Sequence, residues 1–188
     1  MLMELIQILL GLSVLIFLIV IYTYNSLVRL RNDVEKTYSS IDVQIKRKVD
    51  LIPNLMEMVK SYMKHEEGLL KALTKARTSI MNASSNKDIS ALAKGENMLQ
   101  ESLKSIFAVS ENYPDLKASQ NFLELQEALE ETEDQIAAAR RIYNESVNTY
   151  NTKTEVFPSM IFASMFSFNR KKLFEMDEKS PKNISIDF

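Results

Sequence analysis

From Leu5 to Tyr24 the chain reads LIQILLGLSVLIFLIVIYTY, and no charged residue stands between Glu4 and Arg29. An uncharged apolar stretch of about 20 residues makes a helix that can cross a hydrocarbon core of roughly 30 Å. Tyr22 and Tyr24 close it, where amphipathic rings favour the headgroup level. A cleaved leader would show a basic start, a shorter apolar core and a small-residue cleavage site; none is visible, so the pattern predicts a retained anchor over residues 1–24.

Beyond the anchor the apolar positions become periodic. Leu27, Leu30, Val34, Tyr38, Ile41, Ile45 and Val49 recur at helical steps, so the anchor and the next helix read as one rod. Asp50 and Pro53 then read as a capped break, since Pro suits the first turn of a new helix. A second helix carries Leu55, Val59, Tyr62, Leu69, Leu73, Ala76 and Ile80, with Glu66 where an apolar residue was due, and ends in the polar turn Asn82 to Lys87. Asp88 caps a third helix with the stripe Leu92, Leu99, Leu103, Ile106 and Val109, closed by Tyr113-Pro114-Asp115. A fourth, the longest, carries Phe122, Leu125, Leu129, Ile136, Ala139, Tyr143, Val147 and Tyr150.

Amphipathic helices joined by short loops bury their stripes against one another. The predicted fold is all-α: a single N-terminal transmembrane helix continuing into an antiparallel four-helix bundle of long helices, with the bundle over residues 25–156. That order brings the start of the fourth helix beside the far end of the first. Lys46-Arg47-Lys48 then meets Glu124, Glu127, Glu130, Glu131, Glu133 and Asp134. Read as exposed pairs, these contribute about 0–1 kcal/mol each.

The tail, residues 157–175, is the least expected pattern. Phe157 to Phe168 is apolar but too short to span a bilayer, and Arg170, Lys171 and Lys172 follow it. With Tyr22, Tyr24, Phe162 and Phe166 at the same depth, such a wedge fits interfacial attachment to anionic membrane lipid. Folding back over the membrane-proximal end of the bundle, or packing on a neighbouring subunit, fits the same pattern. Asn144, Asn148 and Asn151 fall about one turn apart and are expected to bond to an adjacent helix and fix its register. Residues 176–188 read as a flexible C-terminus.

Composition narrows the chemistry. Three Gly and four Pro in 188 residues are few, which agrees with helices. The absence of Cys excludes a disulfide framework, a thiol nucleophile and a thiolate metal site. A net charge of -2 gives no basic excess of the kind nucleic-acid binders carry. The single His begins His65-Glu66-Glu67, but Leu69 stands where a zinc-protease helix needs its second His. Gly11, Gly68 and Gly95 stand alone rather than in a phosphate loop. No catalytic residue, metal ligand or cofactor site is expected. Arg29, Arg31 and Lys36 follow the span closely, so the positive-inside rule places the N-terminus outside and the bundle in the cytoplasm.

Several blocks together are diagnostic. Tyr24-Asn25-Ser26-Leu27-Val28, Ile41-Asp42-Val43-Gln44-Ile45-Lys46-Arg47, Asp50-Leu51-Ile52-Pro53-Asn54-Leu55, Tyr113-Pro114-Asp115-Leu116-Lys117 and Ala139-Arg140-Arg141 with Tyr143-Asn144 closely resemble the LemA family of bacterial membrane proteins. Tyr38 stands where members often carry Trp, and Ser167-Phe168-Asn169 where a Gly-Phe pair is common. The resemblance implies one span in the bacterial inner membrane and a long-helix bundle, with no catalytic activity and no cofactor. It also implies an anchored scaffold, since a magnetosome-associated branch belongs to the family and its genes recur near membrane metalloproteases. A homo-oligomer organising the membrane or other envelope proteins is the first expectation. An accessory subunit of a membrane protease is the alternative.

Overall fold

The structure, a computed structural model, describes residues 1–63 and 65–175. Its elements are α1 (Leu2–Tyr62), α2 (Glu67–Ser85), α3 (Ile89–Ser110), α4 (Pro114–Lys117), α5 (Gln120–Glu155) and α6 (Ser159–Met165), with no strand among the described residues. The expected C-terminal segment 176–188 lies outside the described residues.

The break expected at Asp50 and Pro53 is absent: α1 runs through Pro53 to Tyr62. Proline inside a helix removes one backbone bond and costs about 3 kcal/mol. Ile52, Leu55 and Val59 around it are fully buried, and each such side chain contributes roughly 1.5–3 kcal/mol. Burial therefore outweighs the proline. The turn comes instead at His65 and Glu66, with the Leu69 and Leu70 amides donating to the Glu66 carbonyl. Glu66, the residue that interrupted the apolar stripe, stands immediately before α2, four residues past the end of α1.

The chain divides into two compact units, residues 1–39 with 141–172, and residues 40–140 with the segment from 173. In the second unit the end of α1, then α2, α3 and the first half of α5 form an antiparallel four-helix bundle. Asp42 meets Ser84 and Met56 meets Thr74 between α1 and α2. Phe107 of α3 packs edge-to-face on Phe122 of α5, ring centres 5.9 Å apart. Asp88 caps α3 by accepting the Ser90 and Ala91 amides. Gly95 lets α2 approach α3 closely: a Cβ there would lie 2.8 Å from Ile80 Cγ1 and 3.2 Å from the Ile80 amide nitrogen.

In the first unit α1 and α5 run antiparallel, burying Leu27, Val34, Tyr143, Val147 and Tyr150. Tyr38 and Tyr143 meet edge-on, ring centres 6.4 Å apart. The opening stretch of α1 is long and apolar enough to cross a membrane. Its side chains are exposed from Met1 through Leu18, and burial begins at Thr23 and Leu27.

Candidate functional site

Two groups of side chains in this fold do more than fill a core. The first is built where α5 ends and the chain returns along it. Ser167, at φ 57, turns the chain out of α6, and the Phe168 amide donates back to the Ala163 carbonyl at 2.9 Å while the Ser167 amide donates to Ser164. This left-handed cap closes the helix by bonding its last free carbonyls. The extended segment that follows is clasped by α5. The Asn151 amide accepts the Lys171 N–H and donates to the Lys171 carbonyl, both at 2.9 Å. Tyr150 donates to the Asn169 carbonyl at 3.0 Å, and Tyr143 to the Lys172 carbonyl at 2.9 Å.

All four bonds are between uncharged groups, each contributing about 1 kcal/mol net. Burial, and after it Tyr38, pushes the Tyr143 phenol up to about 12. Burial also raises Tyr150, against the opposing pull of Arg31. Both hydroxyls therefore keep their protons and remain donors at physiological pH.

Rings fix the other side of this return. Tyr24 meets Phe166 and Phe168 edge-on, with ring centres at 5.0 Å and 5.8 Å. The Arg31 guanidinium lies 5.5 Å over the Phe168 ring, within cation–π range. Arg170 pairs with Glu155 at 3.2 Å.

The residues expected at a membrane interface thus have distinct places. Tyr22 is exposed, Tyr24 is joined to the tail by its ring, Phe162 is half-buried and Phe166 lies on Tyr24. Lys171 and Lys172 are held by their backbones. Among the asparagines, Asn151 clasps the tail rather than a helix, Asn148 is exposed and Asn144 is half-buried. Phe157 just before α6, and Met160, Ile161 and Met165 on it, are exposed, which periodicity could not single out in so short an uncharged run.

The second group lies in the four-helix bundle. Lys48 Nζ reaches Glu96 Oε1 at 2.5 Å and also pairs with Glu133, whose other oxygen accepts from Gln100 Nε2 at 3.1 Å. Lys48 and Glu96 are 1% and 0% exposed, whereas Glu133 is 32% exposed. Burial alone would lower the Lys48 ammonium, but the facing carboxylates outweigh it and hold it above its ordinary value. Burial raises the Glu96 carboxyl, Lys48 draws it back and Glu133 adds to the rise. Glu96 Oε2 is buried without a hydrogen-bond partner.

The expected meeting of the basic triplet with α5 occurs, in a different form. Arg47 pairs with Glu131 at 3.6 Å on the surface, Lys46 bonds to Asp42 of its own helix at 2.6 Å, and Lys48 turns inward. Lys48 is buried because α1 continues about four turns beyond it, which puts it inside the bundle rather than at its end. Glu96 went unnoticed, yet a signal existed: the stripe of α3 skips from Leu92 to Leu99, and Glu96 occupies the missing step.

Among the described residues no group of three or more His, Cys, Asp or Glu could hold a metal ion. The groove lined by Asn54, Glu57, Ser61, Asn121 and Glu124 brings carboxylates and amides together with no histidine.

Comparison with known proteins agrees with the family resemblance of the sequence. The model of the LemA family matches residues 37–188. The protein LemA of Metamycoplasma hominis is 26% identical over 155 residues, which are 82% of this chain and 69% of that protein. Magnetosome protein MamQ 2 of Paramagnetospirillum magneticum is 23% identical over 175 residues, 81% of this chain and 64% of its own length. Magnetosome protein MamQ of Magnetospirillum gryphiswaldense is 23% identical over 196 residues, 90% of this chain and 72% of its own. The chain therefore spans about two thirds of the length of these relatives.

Proposed function

The chain belongs to the LemA family, and from that membership and the geometry above we propose that it is a membrane-anchored, non-enzymatic helical scaffold. One observation carries this reading. The opening of α1 leaves its whole apolar surface exposed, and the same uninterrupted helix goes on to supply a buried seam of the bundle. A bilayer is the surroundings such a surface calls for. The bundle itself presents charged helical faces around a buried core, which suits a platform. Two relatives are named as magnetosome proteins, and a role in organising a bacterial inner membrane, through self-association, extends that to this chain. The N-terminus lies outside and the bundle in the cytoplasm, by the excess of Arg29, Arg31 and Lys36 after the span.

Gentle extraction of the full-length chain from its native membrane, with the mass and composition of the extracted particle measured, tests this. An assembly of this chain alone is the expected result. A fixed-ratio complex with another membrane protein, such as a metalloprotease, would replace the scaffold by an accessory subunit. The chain has no Cys, so a single cysteine at exposed Ser85 reports orientation. It should resist an impermeant reagent in intact cells, and labelling there would overturn the orientation.

A further inference from the structure

We infer that α6 is a second point of membrane attachment, laying the face made by Phe157, Met160, Ile161 and Met165 into the interfacial layer of the lipid bilayer. The inference rests on α1 being the anchor and adds a partner for a surface the fold leaves bare. These four side chains are 77%, 49%, 53% and 60% exposed. The opposite side of α6 buries the small residues Ser159 and Ala163. A helix that turns its small residues inward and its large apolar ones outward has the polarity of an interfacial helix, not of a soluble one.

Three observations identify lipid as the occupant. The loop from Val156 to Asn169 contains no charged residue, and its neck is closed by the Glu155–Arg170 ion pair. The loop is tied to the end of the uncharged stretch of α1 by Tyr24, whose ring touches Phe166 and Phe168. Just past that level both segments turn charged together: Arg31 lies over Phe168, and Arg170 follows two residues later. A bilayer surface imposes such a shared boundary between neutral and charged residues. Phe166 also packs on Tyr24 and Arg170 also pairs with Glu155, so the inserted surface is the outward face of α6, with the basic residues beside it. The clasp of Tyr143, Tyr150 and Asn151 holds the neck in place beforehand, which leaves little to order on insertion.

Single cysteines at Ile161 and Phe157, each carrying a small environment-sensitive fluorophore, test this in the full-length chain reconstituted into phospholipid vesicles. Ile16 in the apolar stretch and the exposed Glu145 of α5 serve as reference positions. Quenchers are a spin label on the lipid acyl chain and iodide in the water. Fluorophores at residues 16, 161 and 157 should lose most of their emission to the lipid-borne quencher, and that at residue 145 to iodide. Quenching at residue 16 by lipid but at 161 and 157 by iodide would show α6 in water and overturn the inference while the anchor stands. Quenching at 161 and 157 by neither would mean that protein, such as a second copy, covers the face, and would overturn it too. Failure of the lipid quencher at residue 16 would remove the anchor reading and this inference with it.

Discussion

Lys48 and Asn151 solve the same problem in opposite ways. Each is a polar side chain among buried apolar ones, and each holds together segments distant in sequence. Asn151 does so with an uncharged amide whose two bonds are both made to one backbone residue. Lys48 does so with a full charge set against two carboxylates, one of them wholly buried and left with an unbonded oxygen. Cutting a neutral clasp costs about 1 kcal/mol for each hydrogen bond lost. A buried charge cluster loses far more, because cutting it strands the partner that remains.

The largest expected effect follows directly. Lys48→Met leaves Glu96 without its counter-ion and should destabilise the chain by about 3–5 kcal/mol, read by chemical denaturation of the full-length protein in detergent micelles. The combined change Lys48→Met, Glu96→Leu and Glu133→Gln removes every stranded charge and should recover most of that loss. A single Lys48→Met that costs less than about 1 kcal/mol would break the comparison, since no buried charge would then have been stranded. The wild-type carboxyl of Glu96 is held above its ordinary 4.5 by burial. Its contribution to stability is therefore complete below that pH and declines as pH rises through the folded value, the reverse of the usual carboxylate. Glu96→Gln should remove that decline.

The neutral clasp carries its pH dependence at the alkaline end. The Tyr143 phenol is raised from 10.0 to about 12 by burial. The stabilisation linked to it is full below pH 10 and lost as pH rises to about 12, because the unfolded chain ionises first. The loss should be on the order of 2 kcal/mol. Lys48 also weakens at high pH, its folded value being raised from 10.5 by the carboxylates, so the Tyr143→Phe variant is the proper reference. The difference between the two alkaline curves isolates the clasp, and an ultraviolet difference spectrum follows the phenolate directly. Coincident curves would mean that Tyr143 is not sequestered.

Much of this is legible in the sequence, and the exceptions share a cause. The stripes of Ile41 to Val49, Leu92 to Ile106 and Phe122 to Tyr150 gave the helices, because burial of one face is written into period. Pro53 misled because a local backbone preference was set against the burial of Ile52, Leu55 and Val59, which depends on partners far along the chain. Glu96 escaped because a gap in a stripe is silent about what faces it from other helices. In the tail from Phe157 to Phe168 no charged residue marks a face, so inside and outside depend on the clasp, and that depends on a turn at Ser167.

Gly95 sharpens the contrast from the packing side. It stands next to Glu96 on α3, and an added Cβ would meet Ile80 Cγ1 at 2.8 Å with the Ile80 backbone close behind. The side chain could rotate away, but the backbone of α2 could not, so α3 would shift and carry Glu96 off Lys48. Gly95→Ala should cost roughly 1–3 kcal/mol, despite the better helix propensity of Ala. If it stabilised the protein, the helices would have room to separate and the charge cluster could not be as confined as its burial indicates.

The first unit should have slack where the second has none, and Ser167 is the place to find it. At φ 57 it holds the left-handed conformation that closes α6, and a side chain there pays a steric cost that glycine avoids. No hydrogen bond depends on its hydroxyl in the cap, which uses backbone amides. Ser167→Gly removes the clash and keeps the cap, so the chain should gain about 0.5–1 kcal/mol, less the small entropic cost of a freer unfolded state. The gain should appear as a modest rise in Tm, with the lipid quenching of a fluorophore at residue 161 unchanged. A loss of stability would show that the Ser167 side chain supports the return, and the neutral region would then be as finely fitted as the charged one.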